Sequence, residues 1–407
     1  MARPLRILRI LTRLNIGGPA LHAALLSTKL DPARFSTCLV VGEVEASEGD
    51  LSELVQGSPV KTIRIRTLRR ALRPWSDLAA FLQLLRVVWQ ERPHIIHTHM
   101  AKAGALGRFA GVCYNRLGPG RRREARAILV HTFHGHVLDE YFSAWLSGFF
   151  VRIERWLARW THCLIAVSET VRNELLQKGI GCREQWRVIP LGLDLSALGQ
   201  LPFPNGTSVV RLGMVGRLVP IKNPGLLLQA FHRFMSQPIR EEAETVIVGD
   251  GPLRLALERE AQQLGLEGRV RFTGWQRDLR SVYGGIDIAC LTSWNEGTPV
   301  ALIEAMAAGR AVVATDVGGV RDLLDDAGAR SAPIPTGRFH IARRGILVRA
   351  GDAEGLAAAL EVLAADVTLR KRLAEAARPH VLRAFAQERL LQDMSALYDE
   401  LVRGSER

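Results

Sequence analysis

Cysteine is scarce in this 407-residue chain, and the five cysteines, at positions 38, 113, 163, 182 and 290, lie far apart. They form no C-x-x-C pair, which excludes a disulfide framework and the common zinc-binding spacings. Long apolar runs are also missing, because arginine interrupts each one before it reaches the roughly 18 residues of a spanning helix. Arg3, Arg6 and Arg9 break the N-terminal apolar stretch, so we expect no secretory signal. These absences predict a protein of the reducing cytosol.

Acidic residues are few in the first half of the chain. Residues 1–200 carry 16 acidic and 28 basic side chains, a net charge of +12, whereas residues 201–407 carry 25 and 26. Such an excess predicts an anionic partner for the first half, namely nucleic acid, a lipid surface or a phosphorylated substrate, and solubility alone is the alternative. Nucleic acid is disfavoured, because no recognised binding module is present and the aromatic residues lie among apolar ones.

Short β-branched or apolar runs alternate with helical patterns along the whole chain. The runs lie at residues 5–11, 37–41, 60–65, 94–97, 128–132, 164–167 and 187–189, and then at 209–215, 245–248, 270–273, 286–291, 311–314 and 345–348. This alternation predicts βαβ units, with a parallel sheet covered by helices on both faces. A stretch rich in proline and glycine at 191–207 divides the two series.

We therefore predict an α/β protein of two doubly wound, parallel-sheet, Rossmann-like domains that face a cleft. The domains are expected at residues 1–190 and 208–385, with a linker at 191–207. A closing helix at 386–407 is expected to pack back toward the first domain, after another helix near 353–364. Residues 329–344 contain several prolines and glycines and are predicted to form a long loop. Ligands of such sheets bind at the carboxyl ends of the strands.

A pair of glycines follows the first predicted strand. Gly17 and Gly18 precede a helical pattern, so the backbone can approach a ligand closely and the helix N-terminus can attract an anion. The spacing is not the G-x-G-x-x-G of dinucleotide-binding proteins. This turn is a candidate binding loop, and a plain tight turn is the alternative.

Two cations follow the first strand of the second half. Arg217 and Lys222 come after Gly216, and Asn223 and Pro224 are residue types favoured at an N-cap and at a first helical position. Two cations beside a helix N-terminus suit a diphosphate, because they offset its charge. Solvated surface cations are the alternative.

Two glutamates stand in the most specific segment, residues 293–309. Thr298 is expected to cap a helix that begins at Pro299, which leaves Glu296 in the preceding loop and Glu304 inside the helix. Glu304 has only small or apolar neighbours, so its carboxylate must find hydrogen-bond donors. Sugar hydroxyls are suitable donors, and a salt bridge is the alternative.

These motifs resemble the retaining glycosyltransferases of the GT-B fold, in the large family 4 group (glycosyl transferases group 1). The family signature, two glutamates separated by seven residues, is matched by Glu296 and Glu304. Segments 166–169, 216–222, 248–252 and 312–319 also match, in the family's order. The resemblance covers most of the chain, from the paired glycines to the closing helices.

The resemblance implies a nucleotide-diphosphate sugar, by family habit a UDP sugar, as the donor. Arg217 and Lys222 would hold the diphosphate, Glu304 the ribose hydroxyls and Glu296 the transferred sugar. His134 would be the strand-end histidine that reaches the donor sugar. The other implied donor-binding residues are Gly17, Gly18, Gly216, Gly249, Phe272, Gly274, Gly297 and Thr298. The implied catalytic set is His134, Glu296, Arg217 and Lys222.

The implied reaction moves a hexose or an N-acetylhexosamine, with retention of configuration, to a glycan or a polyprenyl-diphosphate-linked acceptor. The product would serve cell-surface polysaccharide synthesis. No cofactor or metal is expected, since the sequence has no convincing acidic pair apart from a surface-like one at positions 325 and 326.

Six of the eleven histidines lie in two clusters, at positions 94, 97 and 99 and at positions 131, 134 and 136. Histidines two apart on a strand share a face and can bind a metal, so a metallohydrolase is an alternative. That alternative gives no role to the two cations and the two glutamates. We therefore expect His134 in the donor site, with His99 and His136 as weaker candidates.

Residues 141–160 hold three of the eight tryptophans, with Arg152, Arg155 and Arg159 at helical spacing. Tryptophan and arginine together suit a membrane interface, and a sheet-packing helix is the alternative. Further arginines lie at 64–73 and 121–126. We expect the first domain to contact an anionic membrane, and the protein to be cytoplasmic and peripheral at the inner face.

Two other functions remain open from the sequence. A sugar-nucleotide epimerase can share a fold of two α/β domains, but it needs an acid/base pair that the sequence does not offer. A basic membrane-binding scaffold without activity would have no need of the two cations and two glutamates.

Overall fold

The computed structural model describes residues 4–44, 49–135, 144–205, 209–236, 242–325 and 332–406. The chain divides into two compact units, Met1–Leu193 with Gln387–Arg407 and Asp194–Ala386. Among the residues predicted to have a role, His136, 141–143, 206–207, Asp326 and 329–331 lie outside the described residues.

The strands and helices alternate along both units. The strands are β1 Leu5–Leu11, β2 Phe35–Val41, β3 Lys61–Arg64, β4 Ile95–His99, β5 Ile128–Phe133, β6 Cys163–Ala166, β7 Trp186–Val188, β8 Val209–Val215, β9 Glu242–Val248, β10 Val270–Gly274, β11 Ile288–Leu291, β12 Ala311–Thr315, β13 Phe339–Ile341 and β14 Ile346–Val348. The helices are α1 Gly18–Lys29, α2 Pro74–Glu91, α3 Ala101–Leu117, α4 Ala144–Ala158, α5 Glu169–Gln177, α6 Ser196–Gly199, α7 Pro224–Met235, α8 Arg254–Gln263, α9 Leu279–Gly284, α10 Val300–Ala307, α11 Val320–Leu324, α12 Ala353–Ala365, α13 Val367–Ala384 and α14 Gln387–Glu406.

The first unit is built on a seven-stranded parallel sheet in the order β3-β2-β1-β4-β5-β6-β7. Every residue of β4 and β5 is buried, as expected for central strands with helices on both faces. Helix α14 returns from the end of the chain to this unit. One of its faces, with Leu390, Met394, Leu397 and Tyr398, packs against β1, β4 and β5 in a shared apolar cluster.

The second unit is built on a sheet in the order β10-β9-β8-β11-β12-β14-β13. All of its neighbouring strands are parallel except β13 and β14. Helix α7 packs against α12 on one face of this sheet, with Leu227, Phe231 and Leu360 in the main core. The prediction of two doubly wound parallel-sheet domains is confirmed.

Two elements differ from the sequence-based prediction. The long loop expected at 329–344 contains β13, which pairs antiparallel with β14 because a short hairpin can close the edge of the sheet. Helix α13 was missed because Pro379 lies in its interior, where proline usually ends a helix. Asp366 caps α13 by accepting a hydrogen bond from the backbone N–H of Leu369 at 2.8 Å.

Candidate active site

The second sheet reverses its strand order between β8 and β11. Strand β8 has β9 on its other side, and β11 has β12, so the connections leave this pair of strands in opposite directions. Loops after such a pair diverge and leave a crevice at the carboxyl edge of the sheet. Gly216, Arg217 and Lys222 follow β8, and Glu296, Gly297 and Thr298 follow β11. These six residues therefore lie in the two loops that flank the switch point of the second sheet.

Hydrogen bonds to backbone carbonyl groups connect these loops. The N–H of Trp294 donates to the carbonyl of Ile221 at 2.8 Å, and the Thr292 hydroxyl donates to the carbonyl of Lys222 at 2.9 Å. On the other side, the N–H of Gly249 donates to the carbonyl of Gly274 at 2.8 Å. Phe272 and Gly274 at the end of β10 are thus joined through the β9 loop to the same edge.

Gly249 cannot carry a side chain without a shift of the backbone. Its φ is +128°, and a Cβ atom would lie 1.9 Å from the carbonyl oxygen of Gly216. Gly318 is similar, with φ +48° and a Cβ position 1.9 Å from the carbonyl oxygen of Glu296. Both glycines allow one loop to touch another, which fixes the edge of the crevice.

Lys222 and Glu296 form an ion pair across the two loops. The Ser293 hydroxyl also donates to the same Oε1 atom of Glu296, at 2.6 Å. Arg217 lies in the same loop after β8 as Lys222 and is partly buried, and it forms no ion pair with a carboxylate of the described residues. The positive charge of Lys222 is therefore partly offset by Glu296, whereas that of Arg217 has no described counter-charge.

Glu304 finds its hydrogen-bond donor in a tyrosine. The fully buried Tyr283 hydroxyl lies 2.8 Å from Oε2 of Glu304 and 3.0 Å from the carbonyl of Ala301. Burial of the carboxyl group raises the pKa of Glu304 to about 7, against the lowering effect of the Tyr283 bond. The residue keeps some exposed surface, and Oε1 receives no hydrogen bond from a described residue. The salt-bridge alternative is wrong, because the described partner is neutral.

One prediction about helix caps is wrong, and a second is confirmed in position. Helix α10 begins at Val300 with Pro299 as its N-cap and no side-chain cap, so Thr298 does not cap it. Proline fixes φ near the value that leads into a helix, which starts α10 without a capping side chain. Asn223 is the N-cap of α7 as predicted, but it has φ +45° and its side chain accepts no capping bond.

The paired glycines and His134 belong to the first unit, whose strand order reverses between β1 and β4. Gly17 is the N-cap of α1, and the helix begins at Gly18. His99 ends β4, and His134 follows β5. These residues share the carboxyl edge of the first sheet.

The histidines at this edge form a connected group with a buried arginine. The Arg9 guanidinium lies 3.0 Å from His97 Nδ1 and 3.3 Å from His99 Nε2, and His99 Nδ1 lies 3.0 Å from His134 Nε2. Burial lowers the pKa of His134 to about 3, and burial with the neighbouring histidines and Arg9 holds the pKa of His99 well below its ordinary value. Both rings are neutral at physiological pH.

The His99 and His134 rings, together with the ring of His22, have the spacing of metal ligands. One nitrogen from each of His22, His99 and His134 lies within 4.8 Å of the other two. Two histidines of the predicted clusters have other partners: His94 accepts from the N–H of Arg6 at 2.9 Å, and His131 bonds the Thr98 hydroxyl at 2.8 Å.

Five residues of these sites were not predicted from the sequence: Tyr283, Ser293, Arg9, His22 and Tyr398. A charged residue in a strand that is buried on both faces must have partners, so the place of Arg9 in β1 was a usable signal. Ser293 lies three residues before its partner Glu296, and the other three are brought to distant partners by the fold alone.

Helix α4 both packs and exposes aromatic residues. Its Glu154 is buried and pairs with the fully buried Arg108 of α3 at 2.6 Å. On the outside, Arg152 and Arg159 are exposed and Trp156 is 41% exposed, and the Trp156 ring contacts Phe109 at 5.8 Å between centroids. The sheet-packing interpretation thus describes the buried side of this helix, and the outer side exposes aromatic and basic residues.

Helix α2 extends this aromatic surface. Trp75, Leu78 and Leu82 lie at i, i+3 and i+7 on one face and are 84%, 49% and 55% exposed. Phe81 connects the helices by stacking near Phe109, with centroids 5.1 Å apart. We call the set Trp75, Leu78, Leu82, Phe109, Phe149 and Trp156 the aromatic face. None of the described helices is long and apolar enough to span a membrane.

Two family models match the chain, one in each unit. Residues 17–192 match the glycosyl transferase 4-like domain, and residues 210–366 match glycosyl transferases group 1. Together the two matches span most of the chain.

Curated relatives and solved structures are similar to this chain at low identity. It is 26% identical over 281 residues to the UDP-Gal:alpha-D-GlcNAc-diphosphoundecaprenol alpha-1,3-galactosyltransferase of Escherichia coli, covering 67% of this chain and 70% of the relative. It is 34% identical over 142 residues to the lipopolysaccharide core biosynthesis glycosyltransferase LpsE of Rhizobium meliloti, covering 35% and 37%. The structure of Anabaena HepE in complex with UDP and glucose superposes with a TM-score of 0.75 at 21% identity, covering 97% of this chain and all of that one.

Proposed function

Because the chain belongs to the GT-B glycosyltransferases, with a glycosyl transferase 4-like unit before a group 1 unit, we propose that it is a retaining, family 4 enzyme that uses a UDP sugar. The observation that supports the proposal is the ion pair of Lys222 and Glu296 between the loops after β8 and β11, with Arg217 in the first loop and Glu304 in the helix that follows the second. That edge presents cations for a diphosphate and carboxylates for hydroxyl groups.

In this proposal, the diphosphate of the donor lies against Arg217 and Lys222. Arg217 has no described counter-charge and can bind the phosphate directly, whereas Lys222 binds both the phosphate and Glu296. Glu304 accepts hydrogen bonds from the ribose hydroxyls, and Glu296 accepts from the transferred sugar. The loop residues Gly216, Gly249, Phe272, Gly274, Gly297 and Thr298 line the nucleotide.

The chemical step develops negative charge on the leaving diphosphate and positive charge on the sugar. Arg217 and Lys222 stabilise the leaving group, and the preorganised loops hold them in place without reorganisation during the reaction. The acceptor hydroxyl forms its bond to the anomeric carbon as the bond to the diphosphate breaks, and the hydroxyl proton leaves with the diphosphate. In the first unit, Gly17, Gly18 and His134 contact the reacting sugar. The proposal requires no cofactor or metal.

The acceptor is proposed to be a glycan or a sugar linked to a polyprenyl diphosphate, in cell-surface polysaccharide synthesis. The E. coli relative is named for an acceptor of this kind, and LpsE is named for lipopolysaccharide core synthesis. The basic charge of residues 1–200 and the aromatic face support contact with an anionic membrane surface. The enzyme would then work at the inner face of the cytoplasmic membrane.

A thermal-shift and calorimetric screen of UDP-, GDP- and ADP-sugars tests the donor. A bound donor stabilises the folded state by mass action, so UDP sugars should raise Tm and the others should not. Release of UDP from the best UDP sugar should require an added acceptor, for which GlcNAc-diphosphoundecaprenol is the first to try. Anomer analysis of the product by NMR tests retention. Absence of stabilisation by any nucleotide sugar would reject the proposal.

A further inference from the structure

Arg9 is a fully buried arginine without an acidic partner among the described residues. Its guanidinium contacts the Tyr398 hydroxyl at 3.3 Å and the two ring nitrogens of His97 and His99. An uncompensated buried charge is costly, so an apolar side chain would be the more stable choice at this position unless the charge has a use. Its contacts are with neutral groups at the edge that holds His134.

The donor chemistry of arginine fixes where the neighbouring protons lie. A guanidinium has five N–H groups and no acceptor, so each nitrogen that it contacts must present a lone pair. His99 therefore accepts at Nε2, and as a neutral ring it carries its proton on Nδ1. That Nδ1–H can only donate to His134 Nε2, 3.0 Å away. His134 in turn carries its own proton on Nδ1.

We propose that Arg9 is a positioning residue that sets the tautomers of His99 and His134, so that His134 presents its Nδ1–H as a hydrogen-bond donor to the substrate. The inference rests on the proposed function, in which His134 contacts the reacting sugar. An N–H donor there would bind a sugar oxygen and hold the sugar in place. Nδ1 is the ring nitrogen of His134 that His99 does not engage, and as an N–H it would have no lone pair with which to take a proton from the acceptor.

The same proton positions disfavour a metal at His22, His99 and His134. Both nitrogens of His99 and Nε2 of His134 are already engaged, although His22 has no hydrogen-bond partner for either buried ring nitrogen. A histidine that binds a metal normally donates its other N–H to a carboxylate or carbonyl. His99 instead meets a donor, Arg9, at that position.

Long-range ¹H–¹⁵N spectra of the full chain, labelled with ¹⁵N-histidine, test the proposal directly. His99→Gln and His134→Gln variants assign the two rings by loss of their signals. We expect both rings to be neutral at pH 7 with the proton on Nδ1, and one equivalent of ZnCl₂ to leave them unchanged. A proton on Nε2 of His134, a doubly protonated ring, or zinc-induced shifts of all three rings would overturn the proposal.

Arg9→Met and Arg9→Lys test the link to activity. Arg9→Met should release the His134 tautomer and lower kcat with the active UDP sugar about tenfold, the effect of about one lost hydrogen bond. Arg9→Lys still offers only N–H donors, so it should keep the tautomer and most of the activity. Tyr398→Phe is the matched control, because it removes the hydroxyl that contacts Arg9 at 3.3 Å and His97 Nδ1 at 2.6 Å, and it leaves Arg9 beside His99. It should preserve the His134 tautomer, and an equal loss in all three variants would show a merely structural role.

The spectra of the ligand-free protein make the two proposals separable. If no nucleotide sugar binds, the proposed function fails, and the tautomers still decide the inference about Arg9. If Arg9→Met does not fold, the spectra of the wild type and of Arg9→Lys still show whether the proton of each ring lies on Nδ1.

Discussion

The Tyr283 hydroxyl donates a hydrogen bond to Oε2 of Glu304 across 2.8 Å, between α9 and α10. This bond satisfies a carboxyl group that the helix would otherwise bury among apolar side chains. It also favours the ionised form, whereas burial favours the protonated form. The balance leaves the pKa of Glu304 at about 7, so its charge changes within the physiological range.

Binding of UDP-glucose should therefore depend on pH. Ribose hydroxyls donate best to the ionised carboxylate, so affinity should rise as pH increases through about 7 and level off above it. At pH 6 it should be about tenfold weaker, because only a minor fraction is ionised. Isothermal titration calorimetry between pH 5.5 and 8.5 measures this, and UDP-glucose itself does not titrate there.

Two variants test whether Glu304 is the group whose titration changes the affinity. Glu304→Gln should bind weakly at every pH, and Tyr283→Phe should shift the midpoint upward, because the bond that lowers the pKa is gone. A wild-type affinity that stays constant from pH 6 to pH 8 would contradict the role of Glu304.

The Lys222–Glu296 pair predicts opposite effects of two substitutions. Lys222→Met should weaken UDP binding, and Arg217→Met should weaken it more, by about 1.5–3 kcal/mol for a lost charged hydrogen bond. Glu296→Gln frees Lys222 for the phosphate, so UDP should bind as well or better while sugar transfer falls. Calorimetry with UDP and a turnover assay measure the two effects. Loss of UDP affinity in Glu296→Gln would argue against the shared lysine.

Gly249→Ala should disturb the site through the backbone. The added Cβ would clash with the carbonyl of Gly216, so the loop that carries Arg217 must move. We expect UDP affinity to fall by about tenfold or more, together with a lower Tm. Gly268→Ala is the matched control: its φ is +74° and nothing lies within 4 Å of the added atom. It should cost about 1 kcal/mol of stability and leave UDP affinity unchanged.

The aromatic face should bind anionic vesicles at low salt. Flotation with phosphatidylglycerol-rich liposomes should recover the protein, and high salt or neutral lipid should reduce the recovery, because the surface arginines are screened. A Trp75→Gln, Leu78→Gln double variant should float poorly. Leu255→Gln, at a residue 67% exposed in the second unit, is the control and should float like the wild type. Equal flotation of both variants would assign the binding elsewhere.

The buried Arg108–Glu154 pair should be a stability determinant rather than a functional one. Glu154→Gln leaves a buried guanidinium without its counter-charge, which should lower the free energy of unfolding by about 3–5 kcal/mol. Breaking the exposed Lys61–Glu91 pair by Lys61→Met should cost less than about 1 kcal/mol. Urea unfolding curves compare the two, and similar losses would mean that burial does not govern the cost.

The sequence predicted the two sheets well because buried parallel strands are short apolar runs that need no distant partner to be recognised. It also placed Lys222 and Glu296 in neighbouring loops, where they form an ion pair, since the carboxyl ends of parallel strands share an edge. It failed where a partner comes from another part of the chain. Glu304 clearly needed a donor, but nothing in the sequence distinguishes Tyr283 as that donor.

Sequence rules for helix boundaries also failed at two prolines. Pro379 lies inside α13, and Pro299 is the N-cap of α10 rather than its first residue. In each place the surrounding packing decides which role proline takes, and the sequence alone does not contain that information.

Helix α14 follows the whole second unit along the chain, yet it supplies part of the core of the first unit. Ribosomal synthesis thus delivers β1, β4 and β5 long before Leu390, Met394 and Tyr398 can cover them. The first unit cannot finish folding until the whole second unit has emerged, contrary to the usual order in which N-terminal domains fold first. A nascent chain that stalls near residue 386 would contain a complete second unit and an unfinished first one, in which Arg9 lacks the Tyr398 hydroxyl.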